Sequence, residues 1–453
     1  MRDCRKFLTL AVLVCASAAR AGAADFTVQP TFDDETDAVP GDGICASVNG
    51  TCTLRAAVQE ANALPGPDRI LVPSDFYFLR LGGAHENLAA TGDLDLTDDV
   101  TIVGEDSRFT TIRVIDDRVF QVWPGVTVEI SGLTIELGEV IGESGGGIDN
   151  LRGIVTLRDV DVRANTAEVS GGGINNVGRM TLINVTVTEN VTFGSGGGIA
   201  SSGLLTVFGS TISSNAAQGG GGGLAAGAPS VVAVTGSTIS GNFAASFSGG
   251  GIENEASVPG LEARMSLRNV TVSGNTARQN GGGVMNEWGE VMMIGGTVTG
   301  NSALLGGGVA TREDQGSTTG TFVLANTIVA ANPRGSDCGF GFMRSLGHNL
   351  DSDGSCPFRE PGDLSNRNPL LGPLGFERGN SLPPPTHALH PFSPAIDRGA
   401  PTFCSAKDER AKPRFVDGNG DGLARCDIGA VEYQWKEPDS CDLNLDGLYM
   451  TDD

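Results

Sequence analysis

Gly145-Gly146-Gly147-Ile148 sets a pattern that keeps returning along the chain. The Gly triplet and its aliphatic residue recur ending at Ile174, Ile199, Leu224, Ile252, Val284 and Val309, in steps of 26, 25, 25, 28, 32 and 25 residues. A near-fixed period of that length marks stacked repeats, in which one repeat is one structural unit.

The order inside each repeat is constant. A β-branched strand such as Val160-Asp161-Val162 leads to an Asn, then a short loop, the Gly triplet and a second strand. The Asn positions are Asn165, Asn190, Asn215, Asn242, Asn275 and Asn301. In coils stacked about 4.8 Å apart, an inward Asn can hydrogen-bond to the same amide one coil away. Gly supplies turn dihedrals that a Cβ would penalise. Segments such as Met265-Ser266-Leu267 and Val270-Thr271-Val272 alternate apolar and polar residues, as half-buried strands do. The spacing therefore predicts an all-β parallel β-helix, with the right-handed coil that parallel crossovers favour. The Leu-rich consensus of leucine-rich repeats is missing, and clustered glycines exclude collagen, which needs Gly at every third position.

Of 453 residues 67 are Gly and the net charge is -24, which argues against nucleic acid as a partner because phosphates call for a basic face. An acidic surface suits a soluble secreted protein and also suits calcium. Arg2, Arg5 and Lys6, the apolar run from Phe7 to Ala19 and the small residues Ala21-Gly22-Ala23 read as an export signal over 1–23. The other reading, a lipoprotein modified at Cys15, has bulky Val14 where a small residue is usual. No later segment has the apolar length to span a bilayer. Seven cysteines follow the signal, and the simplest local pairings are Cys45 with Cys52, Cys338 with Cys356 and Cys404 with Cys426, leaving Cys441. Spacing alone leaves the connectivity open. Without a CxxC pair, zinc is disfavoured.

Residues 24–100 lack the triplet but contain Cys52-Thr53-Leu54-Arg55-Ala56-Ala57-Val58-Gln59-Glu60-Ala61-Asn62. Leu54, Ala57, Val58 and Ala61 share one helical face, Thr53 can cap it and Pro65 closes it. Such a helix would cover the open edge of the first coil. This segment resembles the cysteine-serine-leucine-arginine-glutamate-alanine motif (CSLREA) of secreted bacterial right-handed β-helix proteins, and Gly41-Asp42-Gly43-Ile44-Cys45 is similar to the loop that precedes it. The resemblance implies a Cys45–Cys52 bond. Thr53 and Ala56 depart from the motif's Ser and Glu, so no role of that Glu carries over. Further on, Ser345-Leu346-Gly347-His348-Asn349-Leu350, Ser393-Pro394-Ala395-Ile396-Asp397 and Cys426-Asp427-Ile428-Gly429-Ala430-Val431-Glu432 resemble the C-terminal part of choice-of-anchor Q proteins. The expected order is a cap over 24–100, a β-helix over 101–335, a choice-of-anchor Q-like region over 336–434, and a linker with a partial dockerin-like loop over 435–453.

Polysaccharide cleavage on such a fold needs carboxylates converging on one face. Stacking the repeats tests for this. The column through Asp161 continues as Thr186, Thr211, Thr238, Thr271 and Thr297, and that through Asp159 as Asn184, Gly209, Gly236, Asn269 and Gly295, so neither gathers acids. Asp149, Glu253 and Glu287 occupy or adjoin equivalent positions but Asn175, Ala200 and Ala225 intervene, and they are expected to be solvated surface charges. His387 is expected to be structural. Phe193, Phe243, Phe247 and Trp288 could line a sugar-binding edge, with packing beneath loops the favoured expectation.

Two loops carry the alternation of oxygen ligands that calcium loops use. In Asp442-Leu443-Asn444-Leu445-Asp446-Gly447 the ligands would be Asp442, Asn444 and Asp446, with Asp453 at the twelfth position, resembling the first half of a dockerin repeat and implying a cohesin-like partner. In the second loop they would be Asp417, Asn419 and Asp421. The expected function is noncatalytic, an adhesin-like secreted protein binding a polysaccharide or cell-surface glycan. A lyase or glycoside hydrolase acting on acidic polysaccharide is the alternative.

Overall fold

The computed structural model describes residues 22–31, 34–83, 86–255, 263–312, 321–339, 341–376 and 384–434. The expected export signal up to residue 21 and the tail loop of Asp442, Asn444, Asp446 and Asp453 lie outside them, as does Cys441. The described chain is a right-handed parallel β-helix. Coil strands run from Asp25–Thr27 to Leu350–Asp351, well beyond the run of triplets at both ends.

One coil shows how the sequence is used. Face a is a five-residue strand (Ile154–Arg158), face b a three-residue strand (Asp161–Arg163), face c a two-residue strand (Thr166–Ala167), and face d the strand after the triplet (Ile174–Asn176). Between a and b the chain turns through one left-handed residue. That residue is Asp159, Asn184, Gly209, Gly236, Asn269, Gly295 and then Asn326, all with φ between 49° and 63°. The column that gathered no acids is therefore a turn column, restricted to the residue types that enter the left-handed region most easily.

The triplets have two separate causes. The first Gly of each adopts positive φ, as at Gly171 (62°) and Gly281 (61°). The second and third pass so close to the next coil that a Cβ at Gly172 would lie 2.4 Å from the Val191 carbonyl oxygen. Inside, Ile148, Ile174, Ile199, Leu224, Ile252, Val284 and Val309 stack as one fully buried aliphatic column on face d.

The buried Asn ladder forms as the spacing predicts and gains Asn332. Each Asn donates its backbone N–H and its Nδ2 to the Oδ1 of the next, with Nδ2–Oδ1 distances of 2.9–3.2 Å. The second Nδ2 hydrogen goes to a face b carbonyl of the preceding coil, for example from Asn215 to Val187. Every amide is satisfied, which is what permits burial. Asn332 donates to the Asp337 carboxylate, where the ladder ends.

All three disulfides are present: Cys45–Cys52, Cys338–Cys356 and Cys404–Cys426. Helix α1 (Leu54–Ala63) starts at Thr53, whose side chain accepts from the Ala56 amide, and buries Leu54, Ala57, Val58 and Ala61 in the main core. Its Arg55 is fully buried on Asp34 and on the carbonyls of Ala89, Gly92 and Asp93, while Glu60 accepts from the amides of Gly41 and Gly43. The arginine of the cap motif thus fixes a loop, and the Gly-Asp-Gly segment is held by the helix.

After the last coil the chain returns along face b. Thr238 donates to the Pro385 carbonyl and to Glu409, Thr271 donates to Glu409, Thr297 accepts from the Ala430 amide, and Asn326 accepts from the Gly429 amide. His387 bridges Ser273 and the Gly372 carbonyl, the structural role expected of it. Among the described residues no helix is long and apolar enough to cross a membrane.

Two outcomes follow from these contacts. Asn215→Leu strands ladder amides on both sides and should lower unfolding free energy by about 1–3 kcal/mol, whereas Thr211→Ser on face b should be nearly silent; equal melting temperatures would contradict the ladder. Glu409 is fully enclosed, and burial raises its pKa from 4.5 to about 8. The unfolded chain releases that proton first, so the stability tied to it is complete below about pH 4.5 and is lost as pH rises to 8. Glu409→Gln should flatten the stability profile across that window and stabilise the protein at pH 8 by on the order of 1–3 kcal/mol, as read by denaturant unfolding at a series of pH values.

Candidate functional site

Strand register on face d brings one outward position into a column: Asp95, Gln121, Asp149, Asn175, Ala200, Ala225, Glu253, Met285 and Ala310. Acidic or amide side chains fill it from Asp95 to Asn175, Ala200 and Ala225 make a small apolar stretch, and Glu253 is followed by Met285 and Ala310. The expectation that Asp149 and Glu253 are solvated is corrected here, because they are only 5% and 6% exposed. Loops folded over face d bury them, a tertiary effect that repeat spacing does not encode.

At the N-terminal end the buried Arg118 guanidinium is ringed by carboxylates. Nη1 contacts Asp149 at 2.9 Å, Nε lies 3.4 Å from Asp93, and Nη2 pairs with Glu143. Gln121, with its amide oriented to satisfy both neighbours, accepts from Arg118 and donates to Asp95, which also accepts from the Trp123 indole. Burial first, then the neighbouring Asp95 and Asp117, push the Asp93 pKa up to about 8. Burial also raises Asp95 and Asp149. A cavity of about 170 Å³ opens between Glu86, Asn87, Asp117, Gln121 and Glu143. One cation cannot neutralise so many acids, and burial with like charge favours the neutral form of Asp93.

Glu253 anchors the other end. Its carboxyl rises over Gly220, where a Cβ would lie 2.0 Å from Oε2. Burial, with Glu287 and Glu255 adding like charge, holds its pKa well above the usual carboxylate range. Glu287 pairs with Arg312 at 3.3 Å, and that guanidinium sits 4.8 Å over the Trp288 ring. Burial raises the Glu287 pKa as well, with Arg312 opposing the rise, so burial disfavours ionisation of both carboxyls at this end.

Phe193, Phe243 and Phe247 are 65%, 45% and 56% exposed, Phe243 on face c and the other two after it toward face d, so packing beneath loops is not what they do. Ser144 and Ser170 hydroxyls continue that edge, and Asn175 donates to Asp149 beside it. The Asp417 loop is an exposed turn that caps itself. Asp417 accepts from the Gly420 and Gly422 amides, Asn419 from Asp421, and Asp421 from Leu423. The Arg118 cluster escaped the repeat alignment because its coils carry no triplet. The signal for it is the apolar-polar start of Leu94-Asp95 and Phe120-Gln121, which matches Ile148-Asp149 and Ile174-Asn175 on face d.

No family model matches the chain, and no curated protein is similar to it in sequence. Among solved structures it is similar to pectate lyase Pel9A, with a TM-score of 0.45 and 13% identity over 91% of this chain and 97% of that one. It is also similar to the Azotobacter vinelandii mannuronan C-5 epimerase AlgE6 A-module, with a TM-score of 0.29 and 14% identity over 75% of this chain and 99% of that one. Likenesses this distant transfer no activity, and the residues above stand on their own geometry.

Arg118→Met should destabilise the protein by about 3–5 kcal/mol at pH 7.5, because it leaves buried carboxylates without their cation. The deficit should shrink at pH 5, where acids with raised pKa take up protons readily. A deficit independent of pH, measured by thermal melting of both chains, would show that Arg118 acts through packing instead.

Proposed function

We propose that the protein is exported and binds a glycan along face d. The observation that carries this reading is the juxtaposition of the face d polar side chains Asp149, Asn175 and Glu253 with the exposed rings of Phe193, Phe243 and Phe247. Sugars present hydroxyls that pair with carboxylates and amides, and apolar C–H faces that stack on rings. The three disulfides fit an oxidising compartment. The tail loop at Asp442, read from sequence alone, would add calcium binding and a cohesin-like partner.

Charge narrows the ligand. A net charge of -24 repels polyuronates, so a neutral or amino-sugar polysaccharide is the better partner than an acidic one. A second reading rests on Glu253 and Glu287. Two carboxyls in electrostatic contact, one of them paired with an arginine, are the kind of pair that general acid–base cleavage of a glycosidic bond uses.

Binding to immobilised xylan, chitosan, pectate and alginate tests both readings. Phe193→Ala and Phe247→Ala should each weaken the preferred neutral or amino-sugar interaction roughly tenfold, about 1.4 kcal/mol, without changing the melting temperature. Preferential binding of the polyuronates would sink the charge argument. Release of reducing ends that vanishes in Glu253→Gln would establish the hydrolytic reading over pure binding.

A further inference from the structure

The one-way Asn ladder needs a terminal acceptor, and the chain supplies a carboxylate. Asp337 Oδ1 accepts from the Asn332 backbone and side chain, and Oδ2 accepts from the Ser352 amide and hydroxyl. Asp353 accepts from the Asp337 amide through Oδ2 and from Ser355 through Oδ1. Asp351 is different. Its side chain is fully buried, and neither carboxylate oxygen makes a hydrogen bond. The Ser365 hydroxyl and the Gly354 and Cys356 amides face it without reaching hydrogen-bonding geometry, so burial dominates and raises its pKa.

One oxygen from each of the three carboxylates lies within 4.8 Å of the others. No lysine or arginine among the described residues pairs with any of them. Three converging carboxylates, one of them enclosed with both oxygens free, are an arrangement that a cation completes. We propose that Asp337, Asp351 and Asp353 bind a calcium ion that closes the C-terminal end of the coil.

The donors are all hard oxygens, which excludes the softer metals that prefer nitrogen or sulfur. Calcium accepts such an all-oxygen set in flexible geometry, whereas magnesium demands a near-ideal octahedron and usually keeps several waters. Asp353 is exposed and gives the ion a path in. The Cys338–Cys356 disulfide ties the segment carrying Asp337 to the one carrying Asp351 and Asp353, so the ligands are brought together before any ion arrives. The site is separate from the Asp417 loop and from face d.

Calcium titration of the decalcified full chain by calorimetry, with melting curves in calcium and in chelator, tests the proposal. The Asp351→Asn variant should bind one calcium fewer than the wild type and should lose the calcium-dependent rise in melting temperature. In chelator it should melt at or above the wild type, because the enclosed bare carboxylate is gone. Asp417→Asn is the control that leaves this site intact. If Asp351→Asn does not fold, Asp353→Ala, at an exposed position, should show the same loss. Equal calcium stoichiometry in the wild type and both Asp351 and Asp353 variants, or no calcium binding by the wild type, would overturn the site.

Discussion

A buried amide that donates in one direction is the constraint on which the coil depends. From the first residue of the face a strand to the ladder Asn the chain always uses 11 residues, as from Ile154 to Asn165, Val231 to Asn242 and Thr321 to Asn332. From face d to the next face a strand it uses 5 residues between Ile199 and Leu204 but 12 between Ile252 and Arg264. Length varies where no ladder amide has to be met. A residue added before Asn215 would shift its side chain out of line with two neighbours, whereas one added after face d lengthens only a surface loop. The ladder thus separates the part of each repeat that must stay constant from the part free to acquire chemistry.

The parts of the structure that repeat were legible in the sequence. Gly triplets, Asn positions and the Asp161-to-Thr297 column could be aligned by eye because each coil reproduces the same backbone problem. The left-handed column at Asp159, Asn184 and Asn269 was visible as well, although its cause is dihedral and not chemical. Burial on face d was not legible. Asp149 and Glu253 read as surface charges because loops from other coils cover them, and no local pattern records what a distant loop will do. Asp93, Asp95 and Arg118 precede the first triplet, and Asp337, Asp351 and Asp353 follow the last, so the alignment had no anchor for either group.

The faces divide their labour. Face b is occupied by the returning chain, with Thr238 and Thr271 turned into hydrogen-bond donors for a buried glutamate, while earlier members of the same column, Thr186 and Thr211, remain partly open to solvent. On face d, Asn175 and Ala200 stay partly open to solvent. An identical row of threonines is therefore a docking strip over one half of the molecule and an ordinary outer surface over the other, and the difference is made entirely by what lies on top of it.

The returning segment has a mechanical consequence. In a solenoid each coil touches only its neighbours, so an end coil can peel away without disturbing the rest. Here one strap grips Thr238, Thr271, Thr297 and Asn326, successive coils along the axis, and is itself cross-linked by Cys404–Cys426. Peeling of the C-terminal coils requires the strap to detach from several of them together. A pull along the axis would then meet a latch loaded in shear, with many bonds sharing the force, in place of a zipper opening one tooth at a time.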